Sequence, residues 1–246
     1  MKKLTVFAAL TACVLSSSAW SGTYTIGVEA TDYMPISKGD DGKYSGYARE
    51  LLDAFASKNG HKFTYTPLPV ARLIDEFAVK KSLDFKFPDN GYWAKEVKKD
   101  AKIVYSQPAV SVIEGLMVLP ANKGKGVDSI KKLGTVRGFT PWPYMDQIKS
   151  NKIVLSEANT PEAAINMCEA GRVDAVYGSA IVSNYIMADM LKKPGILVFD
   201  DKLPSTKSDF SFFFFAHPDV IKQFDEFLAK DKDTVAKLKA KYKIVE

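Results

Sequence analysis

Arg137, Phe139, Thr140 and Trp142 lie close together where a strand-like run gives way to Thr140-Pro141. Thr is a favoured N-cap and Pro a favoured first helical residue, so a helix start is expected there. Its free N–H groups, with Arg137 nearby, would suit an anionic group. Glu29 and Tyr33 follow another strand-like run, and Tyr33 fits either a cleft wall or core packing. Arg72 stands at the start of an amphipathic segment, where it could face a cleft or solvate that end. Tyr92 and Trp93 are an aromatic pair in a turn, suited to stacking on a flat group or to anchoring the loop in a core. Glu29, Asp89 and Glu114 could move protons, but none sits in a recognisable catalytic motif.

Other chemistries have little support. His61 and His217 are the only histidines and read as turn residues. With Cys13 and Cys168 the only cysteines, neither a zinc-type cluster nor a histidine-based triad is legible. Gly124-Lys125-Gly126 lacks the spacing of a phosphate-binding loop, and no cofactor is expected. The formal charge of +5 comes from interleaved acids and bases, so nucleic acid is not an expected partner.

Residues 1–21 read as a cleavable export signal: Lys2 and Lys3, an apolar run from Leu4 to Leu15, then small residues before Gly22. Cys13 offers a competing lipid-anchor reading, less favoured because the apolar run continues past it. Removal of residues 1–21 leaves 225 residues at a formal charge of +3, enough for two lobes of about 100 residues. Cys168 is then the only cysteine left and falls on the apolar face of a helix, as a buried structural thiol would.

The elements that would position these residues include a repeat. Arg72 to Val79 is an amphipathic helix leading through a polar turn to Asp84 and an apolar strand. Pro161 to Cys168 leads in the same way to Asp174 and Ala175-Val176-Tyr177. Two such units suggest two α/β lobes, with a cleft between them where a small ligand would sit. Strands are expected at Tyr24–Ala30, Lys62–Leu68 and Leu83–Phe87, and helices at Gly46–Ser57, Asp128–Gly134 and Ser183–Leu191. Ala109–Leu119 and Ser211–Ala216 would cross between the lobes, and the two C-terminal helices would pack back on the first.

Several short segments carry a family resemblance: Gly27-Val28-Glu29 with Pro35, Gly42 to Tyr47 running into a helix, Tyr105-Ser106-Gln107-Pro108, Val136-Arg137-Gly138, and Gly171-Arg172-Val173-Asp174-Ala175. In order and spacing the chain resembles the periplasmic solute-binding proteins of ABC importers, in the family 3 branch that includes polar amino acid binders. The resemblance implies an α/β, two-lobe periplasmic-binding-protein fold (Venus-flytrap, type II) with two crossing segments. Lobe one would comprise 22–112 and 208–246, and lobe two 113–207. The implied role is that of a monomeric periplasmic receptor, not an enzyme, serving a membrane permease. The alternatives are a subunit for a membrane sensor and a cyclohexadienyl dehydratase-like enzyme.

The sequence departs from the amino acid clamp of that family. Pro88 to Glu96 contains no Arg to hold a carboxylate, and Ser179 stands where an acid usually binds the ligand amine. Ordinary polar amino acids are therefore expected to bind weakly. The expected ligand contacts are Glu29, Tyr33, Arg72, Asp89, Tyr92, Trp93, Arg137, Phe139, Thr140, Trp142 and Ser179, with no catalytic residue and no metal ligand. The ligand would be a small polar or aromatic solute, amino-acid-like or an organic acid. On this reading Arg137→Ala would weaken its binding by about 1.5–3 kcal/mol.

Overall fold

The computed structural model describes residues 21–40, 42–99, 103–214 and 217–244. The export signal and Cys13 lie outside these residues, apart from Ser21. Strand β1 (Thr23–Glu29) leads to a small antiparallel ribbon of β2 (Asp32–Tyr33), β3 (Ser37–Asp40) and β4 (Lys43–Ser45). Helix α1 (Tyr47–Asn59) follows, then β5 (Lys62–Leu68), α2 (Val70–Ile74), β6 (Phe85–Asp89), α3 (Lys95–Lys98) and the long β7 (Val104–Val118). The next elements are β8 (Lys132–Val136), α4 (Met145–Lys149), β9 (Val154–Ala158), α5 (Pro161–Glu169), β10 (Ala175–Ser179) and α6 (Ala180–Tyr185). The chain finishes with β11 (Val198–Phe199), the long β12 (Thr206–Phe214), α7 (Pro218–Lys230) and α8 (Lys232–Lys241).

The main sheet runs β5-β1-β6-β12-β7-β10-β8-β9, with β11 on the side of β7. At one end β5, β1 and β6 are parallel, and at the other β10, β8 and β9 are parallel. Each set has the same topology, with the first strand between the second and the third. The antiparallel strands β7 and β12 join the sets. The N-terminal half of β7 lies beside β12 against β6, and its C-terminal half pairs with β10. The chain thus crosses between two α/β lobes twice.

The repeated aspartates act alike in both lobes. Asp84 accepts a hydrogen bond from the Thr25 amide at 2.7 Å, at the entry to β1. Asp174 accepts from the amides of Lys131 and Lys132, both at 2.8 Å, at the entry to β8. Each carboxylate satisfies donors that no neighbouring strand reaches. Asp174→Ala is expected to lower stability by about 1–2 kcal/mol, because water can replace part of what is lost at this open edge. The check is a lower urea midpoint at unchanged slope, with Asp174→Asn recovering part of the loss.

Local chemistry explains the helices. Leu51, Leu52, Phe55 and Ala56 make the buried face of α1, which ends on Gly60 at φ 72°, the left-handed conformation suited to glycine. Thr160 caps α5 by accepting from the Ala163 amide at 3.1 Å, with Pro161 in the first turn. Helices α2 and α6 each run on through a π-helical turn, Asp75–Val79 and Ile186–Met190. Phe55 of α1 meets Phe224 of α7 edge to face at 5.1 Å, which docks the C-terminal helices on the first lobe. Cys168 is buried, and burial pushes its thiol up to about 11.

Two local expectations change. The helix expected over Asp128–Gly134 is a single 3-10 turn, Val127–Ser129, because Leu133 and Gly134 are taken into β8. The helix expected from Thr140-Pro141 begins as a 3-10 turn at Trp142, and the five-residue α4 starts only at Met145. His61 lies in the short connection between α1 and β5, as its place before a strand suggests. It is buried, accepts from the Gly22 amide at Nδ1 (3.2 Å) and pairs through Nε2 with Gln223 (2.7 Å), tying the N-terminus to α7.

Candidate functional site

In open parallel sheets, ligands sit outside the carboxyl ends of the strands, where the strand order reverses. Here both lobes turn that point toward the same space. Glu29 ends β1 and Asp89 ends β6, while the Gly138–Thr140 loop follows β8 and Ser179 ends β10. Between them lies an enclosed cavity walled by Val70, Ile74, Phe77 and Ala78 of one lobe and by Gly138, Phe139 and Thr140 of the other. Its charged floor is made by Glu29, Lys86, Asp89, Lys98 and Glu114. The space inside is about 30 Å³, room for one or two waters.

The two faces meet closely. Gly138 has φ +87°, and a Cβ there would come 3.2 Å from the side chain of Val70 across the cleft. The Tyr33 ring lies edge-on to Phe139 at 5.5 Å. Its hydroxyl accepts from the Ser179 amide at 3.3 Å and donates to Glu114 Oε1 at 3.5 Å. Tyr33 therefore links the end of β2 to the end of β10 and to the interior of β7. Above it, at the solvent edge, the rings of Tyr92 and Trp142 pack at 5.7 Å.

The charged groups fall into two sets. Lys98 Nζ donates to both oxygens of Asp89, at 3.0 and 3.1 Å, and to the Asn90 carbonyl at 2.6 Å. Lys86 Nζ donates to the Pro88 carbonyl at 2.5 Å and lies 3.7 Å from Asp89. Burial lowers the Lys98 ammonium's proton affinity, and Asp89 opposes that. The glutamates are less well served. Glu29 is 6% exposed, and among the described residues no donor reaches its carboxyl. Glu114 is 3% exposed and accepts from Ser208 Oγ at 2.5 Å besides Tyr33. Burial pushes Glu29 up to about 7, with Lys86 opposing and Asp89 and Glu114 reinforcing. Burial also pushes Glu114 up to about 7, against its two hydroxyl donors.

Backbone geometry sets the aromatic wall. Asn90 Oδ1 accepts from the amides of Tyr92 (2.9 Å) and Trp93 (3.0 Å), which folds the loop back on itself. Trp93 then faces the cavity, edge-on to Phe210 of β12 at 5.1 Å and under Lys86 at 5.9 Å.

Of the residues singled out in the sequence, Glu29, Tyr33, Asp89, Trp93, Phe139 and Thr140 come together around this cavity. Ser179 is buried just behind Tyr33, and among the described residues no partner reaches its hydroxyl. Tyr92 and Trp142 sit at the rim, more than a third exposed. Arg72 and Arg137 do not join them. Their side chains are 65% and 68% exposed and face Glu76 at 3.7 Å and Glu157 at 3.9 Å. Thr140 caps no helix: the segment after it is a 3-10 turn followed by a five-residue helix, not the longer helix start expected there. Arg137→Ala is now expected to change ligand binding by less than about 0.5 kcal/mol, as at other exposed sites. Titration calorimetry on parent and variant checks this.

Sequence reasoning missed Lys86, Lys98, Tyr177 and Phe210 as site residues and read Glu114 only as a spare acid. A lysine between Phe85 and Phe87, and a glutamate inside the apolar run from Ala109 to Leu119, were the available signals. Among the described residues no cluster of His, Cys, Asp or Glu could hold a metal, and no helix is long and apolar enough to cross a membrane.

No family model matches the sequence, and no curated protein does. Solved structures do. An arginine transport system periplasmic binding protein from Legionella pneumophila superposes with a TM-score of 0.69 at 16% identity, over 89% of this chain and 99% of that one. The ancestral amino acid-binding protein AncCDT-1, a precursor of cyclohexadienyl dehydratase, gives 0.68 at 22% identity, over 90% and 95%. The VFT2 domain of Bordetella pertussis BvgS gives 0.68 at 14% identity, over 89% and 93%. At these identities the likeness establishes the two-lobe periplasmic-binding-protein fold.

Proposed function

We propose that the mature chain is a periplasmic solute receptor that closes its lobes on one small molecule and presents it to the permease of an ABC importer. The moving units are 22–112 with 208–246, and 113–207. One observation carries the reading: both lobes aim the carboxyl ends of their parallel strands into a single cavity, which holds a buried carboxyl that no donor among the described residues reaches. A structural core seldom leaves a carboxyl unpaired, because an unserved polar group is costly there. A binding site can, since the ligand supplies the missing donor. The transport role of the Legionella neighbour and the export signal read from residues 1–21 support the periplasmic setting. The protein acts as a monomer.

Two other roles have specific support. The likeness to the BvgS domain favours a subunit that reports its ligand to a membrane sensor. Buried glutamates near neutrality beside a likeness to AncCDT-1 favour dehydration of a cyclohexadienyl acid. A thermal-shift screen of amino acids, organic acids, amines and aromatic metabolites tests the receptor reading. It expects at least one solute to stabilise the parent and to lose that effect in Trp93→Ala. No stabilising solute, or turnover of a cyclohexadienyl acid to an aromatic product, overturns it.

A further inference from the structure

Resting on that receptor reading, the charges on the cavity floor say more about the solute. We propose that the cavity selects a small organic monocation, an amine with an apolar or aromatic body and no carboxylate, and seats its ammonium on Glu29 and Glu114.

The floor holds three carboxyls, Glu29, Asp89 and Glu114, and two ammonium groups, Lys86 and Lys98. Both lysines are turned to Asp89 and to backbone carbonyls beside it. With both glutamates ionised, one carboxylate charge is left over, and it falls on the two of them. Among the described residues no donor reaches Glu29, and Glu114 has only hydroxyls, one of them at 3.5 Å. An ammonium has three donors and one positive charge, so it answers both deficits at once. The rest of the wall suits such a group. Phe77, Trp93, Phe139 and Phe210 turn aromatic surface to the cavity, and aromatic faces attract cations.

The same geometry disfavours a ligand carboxylate. A zwitterion needs a cationic partner for its acid, and Arg72 and Arg137 point to solvent. Lys98 has its donors occupied by Asp89, Asn90 and Tyr105. A carboxylate would therefore lie beside Glu29, Glu114 and Asp89, with only Lys86 to offset them.

Proton exchange follows. Below about pH 7 the floor of the empty site holds protons on Glu29 and Glu114, which face Tyr33, Lys86 and Asp89. An arriving ammonium displaces one of them, so binding releases a proton and strengthens as pH rises through about 7.

The test uses two matched sets: 2-phenylethylamine, phenylalanine and 3-phenylpropanoate, then isopentylamine, leucine and 4-methylpentanoate. In each set one body carries an ammonium, both groups, or a carboxylate. Titration calorimetry with the parent at pH 8 should find at least one amine binding about 10- to 100-fold more tightly than its amino acid and its acid, the range for a charge-assisted hydrogen bond. Glu29→Gln and Glu114→Gln should each weaken that amine by a similar factor. Circular dichroism on both variants confirms that they fold. At pH 7, buffers of different ionisation enthalpy should reveal proton release by the parent that is reduced in Glu29→Gln. Amines that bind no better than their amino acids or acids, or that fail to bind, overturn the proposal. If amino acids or organic acids bind instead, the receptor reading stands and the cation assignment falls. If no solute of any class binds in the wider screen, the receptor reading itself falls.

Discussion

Lys98→Met is expected to lower stability by about 3 kcal/mol, the low end for breaking a buried ion pair. The ammonium of Lys98 is buried and meets both carboxylate oxygens of Asp89. Its loss strips the main counter-charge from a carboxylate that is 2% exposed. Two features hold the effect to the low end. Lys86 remains 3.7 Å from Asp89, and the Asn90 amide still donates to it at 2.8 Å. Methionine keeps most of the apolar stem, so packing changes little. Asp89→Asn in the same background should recover much of the loss, because it removes the stranded charge. Urea unfolding of the two single variants and the double variant measures the coupling. An unchanged midpoint in Lys98→Met contradicts the buried pair.

The second large effect is a dependence of stability on pH in an unusual direction. Glu29 and Glu114 are raised from 4.5 to about 7 in the folded chain. Below about pH 4.5 both states hold these protons, and the groups contribute nothing to the slope. Between about 4.5 and 7 the unfolded chain gives them up while the folded chain keeps them, so stability falls as pH rises. Above about 7 both states are ionised and the loss levels off. One such carboxyl is worth about 3 kcal/mol over the window, and the pair less than twice that, since the two interact and titrate jointly. Surface carboxylates such as Glu50, held down by Lys241 and Tyr242, lose their stabilising effect only as pH falls below about 4.5. Urea midpoints measured from pH 4.5 to 8 should therefore decline, and the slope should flatten in the Glu29→Gln/Glu114→Gln double variant. A midpoint that rises across this window contradicts the burial of the two acids.

Much of this arrangement could be read from the chain itself, and the reasons are physical. The two helix-turn-Asp-strand units are visible because each Asp serves the same backbone donors at a strand entry, which demands the same residue type at the same place. Glu29, Trp93 and Phe139 were legible because they follow strands that the periodic pattern locates. Lys86 was not: beside Phe85 and Phe87 it reads as the solvent side of an alternating strand. It is buried because its side chain lies on the cavity floor, beside Trp93 and Asp89. Lys98 lies in a segment rich in Lys and Glu that reads as surface, and only its pairing with Asp89 draws it inward. Arg72 and Arg137 failed in the opposite way. Sequence places them beside the cleft, but direction depends on side-chain pairing, and Glu76 and Glu157 draw both guanidiniums outward. Thr140-Pro141 carries a helix-start signal, yet a second proline at Pro143 holds the segment to a 3-10 turn that leaves no capping site.

The central claim is that the space between the lobes is a solute site with Glu29 as its open acceptor. A crystal structure of the mature protein with the most strongly stabilising solute of the screen tests it most directly. The claim predicts that solute between Trp93 and Phe139, with a donor within hydrogen-bond distance of the Glu29 carboxyl. It is contradicted if the cavity holds only water while the solute occupies another place, such as the groove lined by Tyr185 and Tyr242.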